Sequence, residues 1–246
     1  MNPFKNGMIG GVYVVHARRF TDRAAQMKAQ LGKLDIPFEF IEPYDADVLD
    51  AEALKLFSDS KPEMTRGQKS CTLKHLEALR KIAAGGYRYG LVFEDDAILD
   101  PQFLPELEKV VEEAQSFNHP HAIYVGIGSN MFVPWRKLRR GRRLYEAEVS
   151  RCAEAYLIGA EAARTRLAWA EKHKMDRPVD HMFTQIDRET GIRMYWSDPA
   201  TVVQGSMNGF YFSTQEGGTQ LARLWQFKLR FELQRLRRKY IYRFFQ

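Results

Sequence analysis

Tyr89-Gly90-Leu91-Val92-Phe93-Glu94-Asp95-Asp96-Ala97-Ile98-Leu99 is the stretch that decides how the chain is read. Leu91-Val92-Phe93 is too short an apolar run for a helix and reads as a buried strand. It ends in three carboxylates. Strand side chains alternate, so Glu94 and Asp96 are expected on one face and Asp95 on the other. Three adjacent anions repel, and a fold that gathers them at a strand end needs a counter-charge. A divalent cation supplies one, and Mg²⁺ or Mn²⁺ suits carboxylates that share the ion with phosphate oxygens. In open α/β sheets, ligands bind beyond the carboxyl ends of the strands. Taken alone, the stretch leaves a second reading open, in which Asp95 and Asp96 cap a helix after Pro101 or line a solvated turn.

Outward from it, the pattern is strand, helix, strand. Gly11 to His16 reads as a first buried strand, Asp22 to Leu34 as a helix behind Thr21, and Phe38 to Ile41 as a second strand. That order predicts an α/β domain with a largely parallel sheet. Asp45 to Phe57 is expected to be helical. A helix after Thr65 carries Cys71, Leu73, His75, Leu76, Leu79 and Ile82 at helical spacing and stops at Gly85-Gly86. Further helices are expected from Phe103 to Gln115, from Ala160 to Lys172 and after Pro178. Strands are expected at Ala122–Gly126, Ala153–Ile158, Met194–Trp196 and Thr201–Val203, with a last helix from Thr219 to the end.

The 246 residues suffice for a substantial core, and no internal repeat stands out. The net charge of +6 is concentrated in the tail: from Ala222 to Gln246 eight basic residues face Glu232 alone, a charge of +7, so the rest carries −1. Two cysteines, Cys71 and Cys152, form neither a disulfide framework nor a zinc or redox spacing, which points to a reducing cytosol. Neither a signal peptide nor a run of transmembrane length is evident, so the expectation is a soluble or surface-bound protein.

Several residues carry two readings each. His75, on the apolar face of its helix, is a satisfied core histidine or a ligand, and Cys71 one turn earlier reads as a small hydrophobe. Arg18, Arg19 and Arg23 follow the first strand, where a nucleotide sits in such folds, or are simply surface charges. Gly126-Ile127-Gly128 lacks the third glycine and the lysine of a phosphate loop, a weak signal. Asp180 is either an acid complementing a helix dipole or a general base at the rim of the sheet. In the tail, Leu221, Trp225, Leu229, Leu233, Leu236, Tyr240 and Phe244 recur at helical steps, with Arg230, Arg237, Arg238 and Lys239 largely off that stripe. A cationic amphipathic helix suits an anionic membrane surface, and packing on the body is the alternative. The near-neutral body argues against a nucleic-acid groove.

Four blocks occur in order: Val12 to Arg19 with Asp22-Arg23, Thr65 to Leu76, Leu91 to Ala97, and Pro178-Val179-Asp180. Together they resemble glycosyltransferase family 25, the lipooligosaccharide-biosynthesis sugar transferases that include the collagen galactosyltransferases. The likeness runs from about Met8 to Ser206. It implies a GT-A (Rossmann-like) fold over residues 1–218, followed by the basic helix of residues 219–246. It also implies a UDP-hexose donor and inversion at the anomeric carbon, with Asp96 and Glu94 as ligands of Mn²⁺ or Mg²⁺. His16, Arg18, Arg23, His75, Glu94, Asp95 and Gln204 fall on the donor side. The family's usual residues are replaced by Gln68, Ser70 and Lys74, and Lys74 is left as either a phosphate contact or a solvated side chain. Proton removal from an acceptor hydroxyl needs a carboxylate on a separate element, and Asp180 is the candidate.

The expectation is an inverting, metal-dependent transferase moving galactose or glucose onto a lipooligosaccharide. It would be cytoplasmic and peripheral on the inner face of the bacterial inner membrane, with no nucleic acid partner. A non-catalytic basic-tailed module binding nucleic acid or membrane, and the same fold acting on a protein acceptor, are the rival readings. The Arg136–Arg143 run is a candidate contact for acceptor phosphates or a solvated loop.

Overall fold

The computed structural model describes residues 2–59, 63–206 and 224–242. A seven-stranded sheet organises them, in the order β2-β1-β3-β7-β5-β8-β6. β1 (Ile9–Val15), β2 (Glu39–Ile41) and β3 (Tyr89–Glu94) are mutually parallel, joined through α1 (Thr21–Lys33) and α3 (Arg66–Ala84). β7 (Ala155–Gly159) runs antiparallel to both β3 and β5 (His121–Tyr124), β8 (Arg193–Ser197) is parallel to β5, and β6 (Leu144–Ala147) closes the edge. The α/β class expected from the sequence is what this order shows, a parallel half of β2, β1 and β3 joined through one reversed strand to a mixed half.

Alternation along the strands builds two cores. Val12, Val14, Leu91, Phe93 and Leu157 face α1 and α4 (Phe103–Ala114), while Tyr13, Val15, Val92, Tyr156 and Ile158 face α3, α5 (Ala160–Ala170) and α6 (Val179–Thr190). A sheet covered on both faces explains why its strands read as continuous apolar runs. α3 lies hard against β3: a Cβ at Gly90 would stand 2.3 Å from the Ile82 side chain, so the helix can pack here only against glycine.

The segment Asp45–Phe57 departs from expectation. Only α2 (Ala51–Leu54) is helical there, capped by Asp50, whose Oδ1 accepts from the Ala53 N–H. The turns before it are held by α3, because Arg66 donates to the carbonyls of Ala46 and Leu49 and Ser70 donates to that of Tyr44. Local propensity lost to these tertiary partners. Two short strands, β4 (Ala97–Leu99) and β6, were not evident in the pattern. β4 pairs antiparallel with β9 (Val202–Gln204), bringing Gln204 opposite Ala97. α7 (Leu224–Arg237) continues into a wider turn over Arg238–Tyr242. The expected start at Thr219 and the last four residues lie outside the described residues.

Under the β5 edge, His121 is buried with Nε2 accepting from the Tyr89 hydroxyl at 2.8 Å and Nδ1 donating to the His119 carbonyl at 2.7 Å. Burial pushes its pKa down to about 4. The unfolded chain therefore binds a proton between about pH 6.5 and 4 that the folded chain refuses. Stability is full above 6.5 and falls with acid, by about 2–3 kcal/mol from this group. Urea midpoints measured from pH 7 to 4 should show that loss, and His121→Gln should flatten it. An unchanged acid slope in the variant would exclude His121 as its source.

Candidate active site

β3 ends at Glu94, and Asp95-Asp96 form the tight turn into β4. The three carboxylates diverge as expected, but through a turn rather than strand alternation. Asp95 points back to the first strand, where it accepts from His16 Nδ1 at 2.8 Å, from the Ala17 N–H at 3.2 Å and from Arg23 at 2.9 Å. The parallel register of Val15 with Glu94 puts His16 beside the turn, and the first turn of α1 delivers Arg23. Asp95 is thus fully engaged by protein donors. His16, Arg23 and Asp95 form a bonded cluster beside the turn rather than a set of free ligands. Arg18 stays exposed and pairs with Glu42 at 3.4 Å.

Asp96 faces the other way. Its Oδ2 accepts from the Ser206 N–H at 3.1 Å, its carbonyl accepts from Gly205, and its buried Oδ1 has no hydrogen-bond partner among the described residues. Burial, with Glu94 next to it, pushes the Asp96 carboxyl up to about 6. An orphaned carboxylate oxygen in a sealed site is costly unless a cation meets it. Glu94 is reached from Gln204, whose Nε2 donates to Oε2 at 3.2 Å. The residues present therefore fit a divalent ion, with Asp96 Oδ1 as one ligand and Glu94 close by.

α3 supplies the opposite wall. Thr65 and Gln68 form a reciprocal capping box that starts the helix at a fixed position. His75 is fully buried, its Nδ1 meeting the Tyr156 hydroxyl at 3.1 Å and its Nε2 lying 3.4 Å from Glu94 Oε1. His75 is thus a core residue that also touches the acid at the end of β3. Cys71 donates to the same Glu94 oxygen at 3.8 Å, and burial together with the carboxylates Glu94, Asp180 and Asp95 pushes its thiol well up. Lys74 is neither a phosphate contact nor solvated. It is buried, pairs with Asp45 at 2.9 Å and donates to the carbonyls of Glu42 and Ile41. The three departures from the family pattern are thus structural: Gln68 caps, and Ser70 and Lys74 pin the irregular segment after β2.

Asp180 stands in the first turn of α6, half-buried, and among the described residues its carboxylate makes no hydrogen bond or ion pair. Its backbone carbonyl is held by Ser150 and Thr184. Its charge is felt at Cys71, which places it on the same side of the sheet as the acidic turn. Sequence reasoning missed Glu154, fully buried just before β7. Its carbonyl accepts from the Glu94 N–H at 3.0 Å, its Oε1 accepts from the Gly128 N–H, and its Oε2 has no partner. Burial pushes it up to about 8. A Cβ at Gly126 would meet Glu154 Oε1 at 2.2 Å. The glycines of 126–128 therefore seat this acid, and Gly128 has no N–H to offer a phosphate. One acid within an apolar strand pattern gave no sequence signal.

The basic run is partly tied down, with Arg143 bonded to Glu106 at 2.5 Å and its N–H to Glu113. Arg136, Lys137, Arg139, Arg142, Tyr145 and Glu146 line an open groove of about 480 Å³ at the β6 edge.

The site is thus an acid-tipped strand flanked by the His16–Arg23–Asp95 cluster, with the Asp180 carboxylate on a separate helix. The chain belongs to glycosyltransferase family 25: the family model, described as glycosyltransferase family 25 (LPS biosynthesis protein), matches residues 10–183. It is 29% identical over 200 residues to procollagen galactosyltransferase 1 of Danio rerio, covering 76% of this chain and 33% of that one. It is 25% identical over 219 residues to a putative glycosyltransferase of Haemophilus influenzae, covering 83% and 75%. An inactive family 25 member 3 of Homo sapiens is 28% identical over 115 residues, covering 43% and 19%. The chain spans about a third of the procollagen galactosyltransferase it matches. Solved structures similar to it include a Drosophila β-galactosyltransferase 7 mutant in complex with manganese, UDP-Gal and xylobiose. That match has TM-score 0.38 and 10% identity, covering 87% of this chain and 78% of that one. Mouse xyloside xylosyltransferase 1 aligns with TM-score 0.40 and 15% identity, covering 74% and 71%.

Proposed function

We propose that this chain is an inverting glycosyltransferase that moves a hexose from a UDP-sugar to an acceptor hydroxyl, with a divalent ion, Mn²⁺ or Mg²⁺, held at Asp96 and Glu94. The observation that carries the reading is the combination of a buried Asp96 Oδ1 and an Asp180 carboxylate that both lack a partner among the described residues. Family members named inactive exist, so the site rather than the family has to support catalysis. When bound, the ion would act as a Lewis acid on the diphosphate leaving group. The chain's own part is positional and basic. The wall of His16, Arg23 and Asp95 shapes the donor side, and Gln204 fixes Glu94. As the acceptor oxygen bonds to the anomeric carbon and the bond to UDP breaks, Asp180 takes the hydroxyl proton. The other acids are excluded by their surroundings: Asp95 is saturated, Glu94 is engaged, and Glu154 is sealed, with burial pushing its carboxyl up to about 8. Galactose is the favoured hexose by likeness to the procollagen galactosyltransferases. A calorimetric screen of UDP-sugars with and without Mn²⁺ tests this; UDP-galactose should bind only with the ion, and binding indifferent to it would defeat the proposal.

A lipid-linked, anionic acceptor is favoured over a protein one by the tail. Among its described residues, Leu229, Leu233, Leu236, Tyr240 and Ile241 are exposed, while Gln234 bonds Asn130 and Arg238 bonds the Ser129 carbonyl. The helix thus touches the body through polar groups and turns leucines outward beside Arg235 and Lys239. No helix among the described residues is long and apolar enough to cross a membrane. We infer a surface-lying helix on an anionic bilayer, at the inner face of the bacterial inner membrane. Leu233→Glu with Leu236→Glu should cut co-sedimentation with anionic vesicles by about 10-fold or more, since burying two leucines contributes about 3 kcal/mol or more. Unchanged sedimentation would remove the membrane role.

A further inference from the structure

α3 brings two side chains, one turn apart, against the tip of β3. Cys71 Sγ lies 3.8 Å and His75 Nε2 3.4 Å from Glu94 Oε1, and the three atoms all fall within 4.8 Å of one another. A tetrahedral zinc-type ion, with bonds of about 2.0–2.3 Å, holds its ligand atoms roughly 3.2–3.8 Å apart, so the two contacts to Glu94 are already in range and the sulfur–nitrogen pair closes by about 1 Å. The surroundings are arranged as around a metal. The Tyr156 hydroxyl occupies His75 Nδ1, which leaves Nε2 to face Glu94, and Gln204 steadies the other Glu94 oxygen. Among the described residues no lysine or arginine pairs with Cys71, His75 or Glu94. Asp95, one residue on, has both Arg23 and His16. The charges of Glu94, Asp180 and Asp95 all fall on Cys71.

Oxygen-loving ions have no use for a thiol, whereas a set of sulfur, nitrogen and oxygen ligands selects zinc and its analogues. We propose that Cys71, His75 and Glu94 bind one thiophilic divalent ion, zinc or cobalt, with a fourth position open. Binding converts the Cys71 thiol to a thiolate, its proton passing to solvent, and uses neutral His75 and ionised Glu94. The ion ties α3 to the end of β3, so the folded chain is stabilised when it is present.

The full chain, stripped with chelator, is titrated with Co²⁺ and followed by absorbance. One equivalent should produce tetrahedral visible bands and a near-ultraviolet thiolate-to-cobalt band, displaced by Zn²⁺ and untouched by Mg²⁺, with a rise in Tm. Cys71→Ser should lose the thiolate band and weaken Zn²⁺ binding at least about 10-fold, whereas Cys152→Ser should keep both. Absence of the thiolate band in the unaltered chain overturns the proposal whatever the variants do, as does a band that survives Cys71→Ser or disappears with Cys152→Ser. Mn²⁺-dependent UDP binding, measured separately, reads the proposed transferase site, so either idea can fail alone.

Discussion

Asp180→Asn is expected to lower kcat by about 10³-fold, within the range that a positioned general base contributes, while Kd for the UDP-sugar stays within about a factor of two. The expectation follows from where the residue stands. Its carboxylate has no partner among the described residues, so replacing it breaks no bond that holds the fold. Its backbone is fixed independently through Ser150 and Thr184. The one structural loss is an acid in the first turn of α6, which contributes roughly 0.3–1 kcal/mol. A large kinetic effect with a small change in Tm therefore separates a base from a helix-dipole acid. The measurement is steady-state transfer to a saturating acceptor beside donor binding by calorimetry. Should Asp180→Asn keep a tenth or more of its turnover, Asp180 is not the base. The other acids described near the turn are committed to protein partners or sealed, so the inverting mechanism would then need a different proton acceptor.

How much of this was legible beforehand depends on how local the signal is. The parallel half of the sheet could be read because β1 and β3 are apolar runs punctuated by α1 and α3, and periodicity records such burial directly. The divergence of Glu94, Asp95 and Asp96 was legible in outcome but not in cause, since β3 stops at Glu94 and only Asp95 and Asp96 separate it from β4. β4 itself was hidden, because a three-residue strand is defined by its partner, and Gln204 lies more than a hundred residues away. His16 and Arg23 were expected on the donor side, and what the structure adds is their engagement with Asp95, a contact between neighbouring strands that no window of sequence contains. Lys74 illustrates the limit most clearly. A lysine on the otherwise apolar face of a helix looks like a solvated charge or a ligand contact, and only the irregular segment after β2 gives it three oxygens to satisfy. Glu154 was invisible for the converse reason: its raised pKa comes from being sealed against Gly126 and Gly128, glycines that by themselves are only a weak phosphate-loop signal.

Asp96→Asn carries the second large expected effect, and its two consequences pull in opposite directions. An outer partner of a metal ligand already costs about 10–100-fold in affinity when removed. A direct ligand should cost at least that, so Mn²⁺-dependent affinity for UDP is expected to fall by roughly 100-fold or more, and transfer with it. Stability without metal should move the other way. Burial raises the folded Asp96 carboxyl to about 6 from its ordinary 3.8, so folding takes up a proton between those values. Stability from this group is therefore full below about pH 3.8 and falls as pH rises towards 6, leaving a cost at neutral pH. A neutral amide keeps its oxygen for the Ser206 N–H and removes that cost. Metal-free Asp96→Asn should melt at or above the temperature of the unaltered chain at pH 7, and the gap should close below pH 4. Added Mn²⁺ should raise the Tm of the unaltered chain alone. A carboxylate whose only role is to cap the turn into β4 would give the reverse, a lower Tm with Mn²⁺ and UDP binding intact, and that result would remove Asp96 from the ion site.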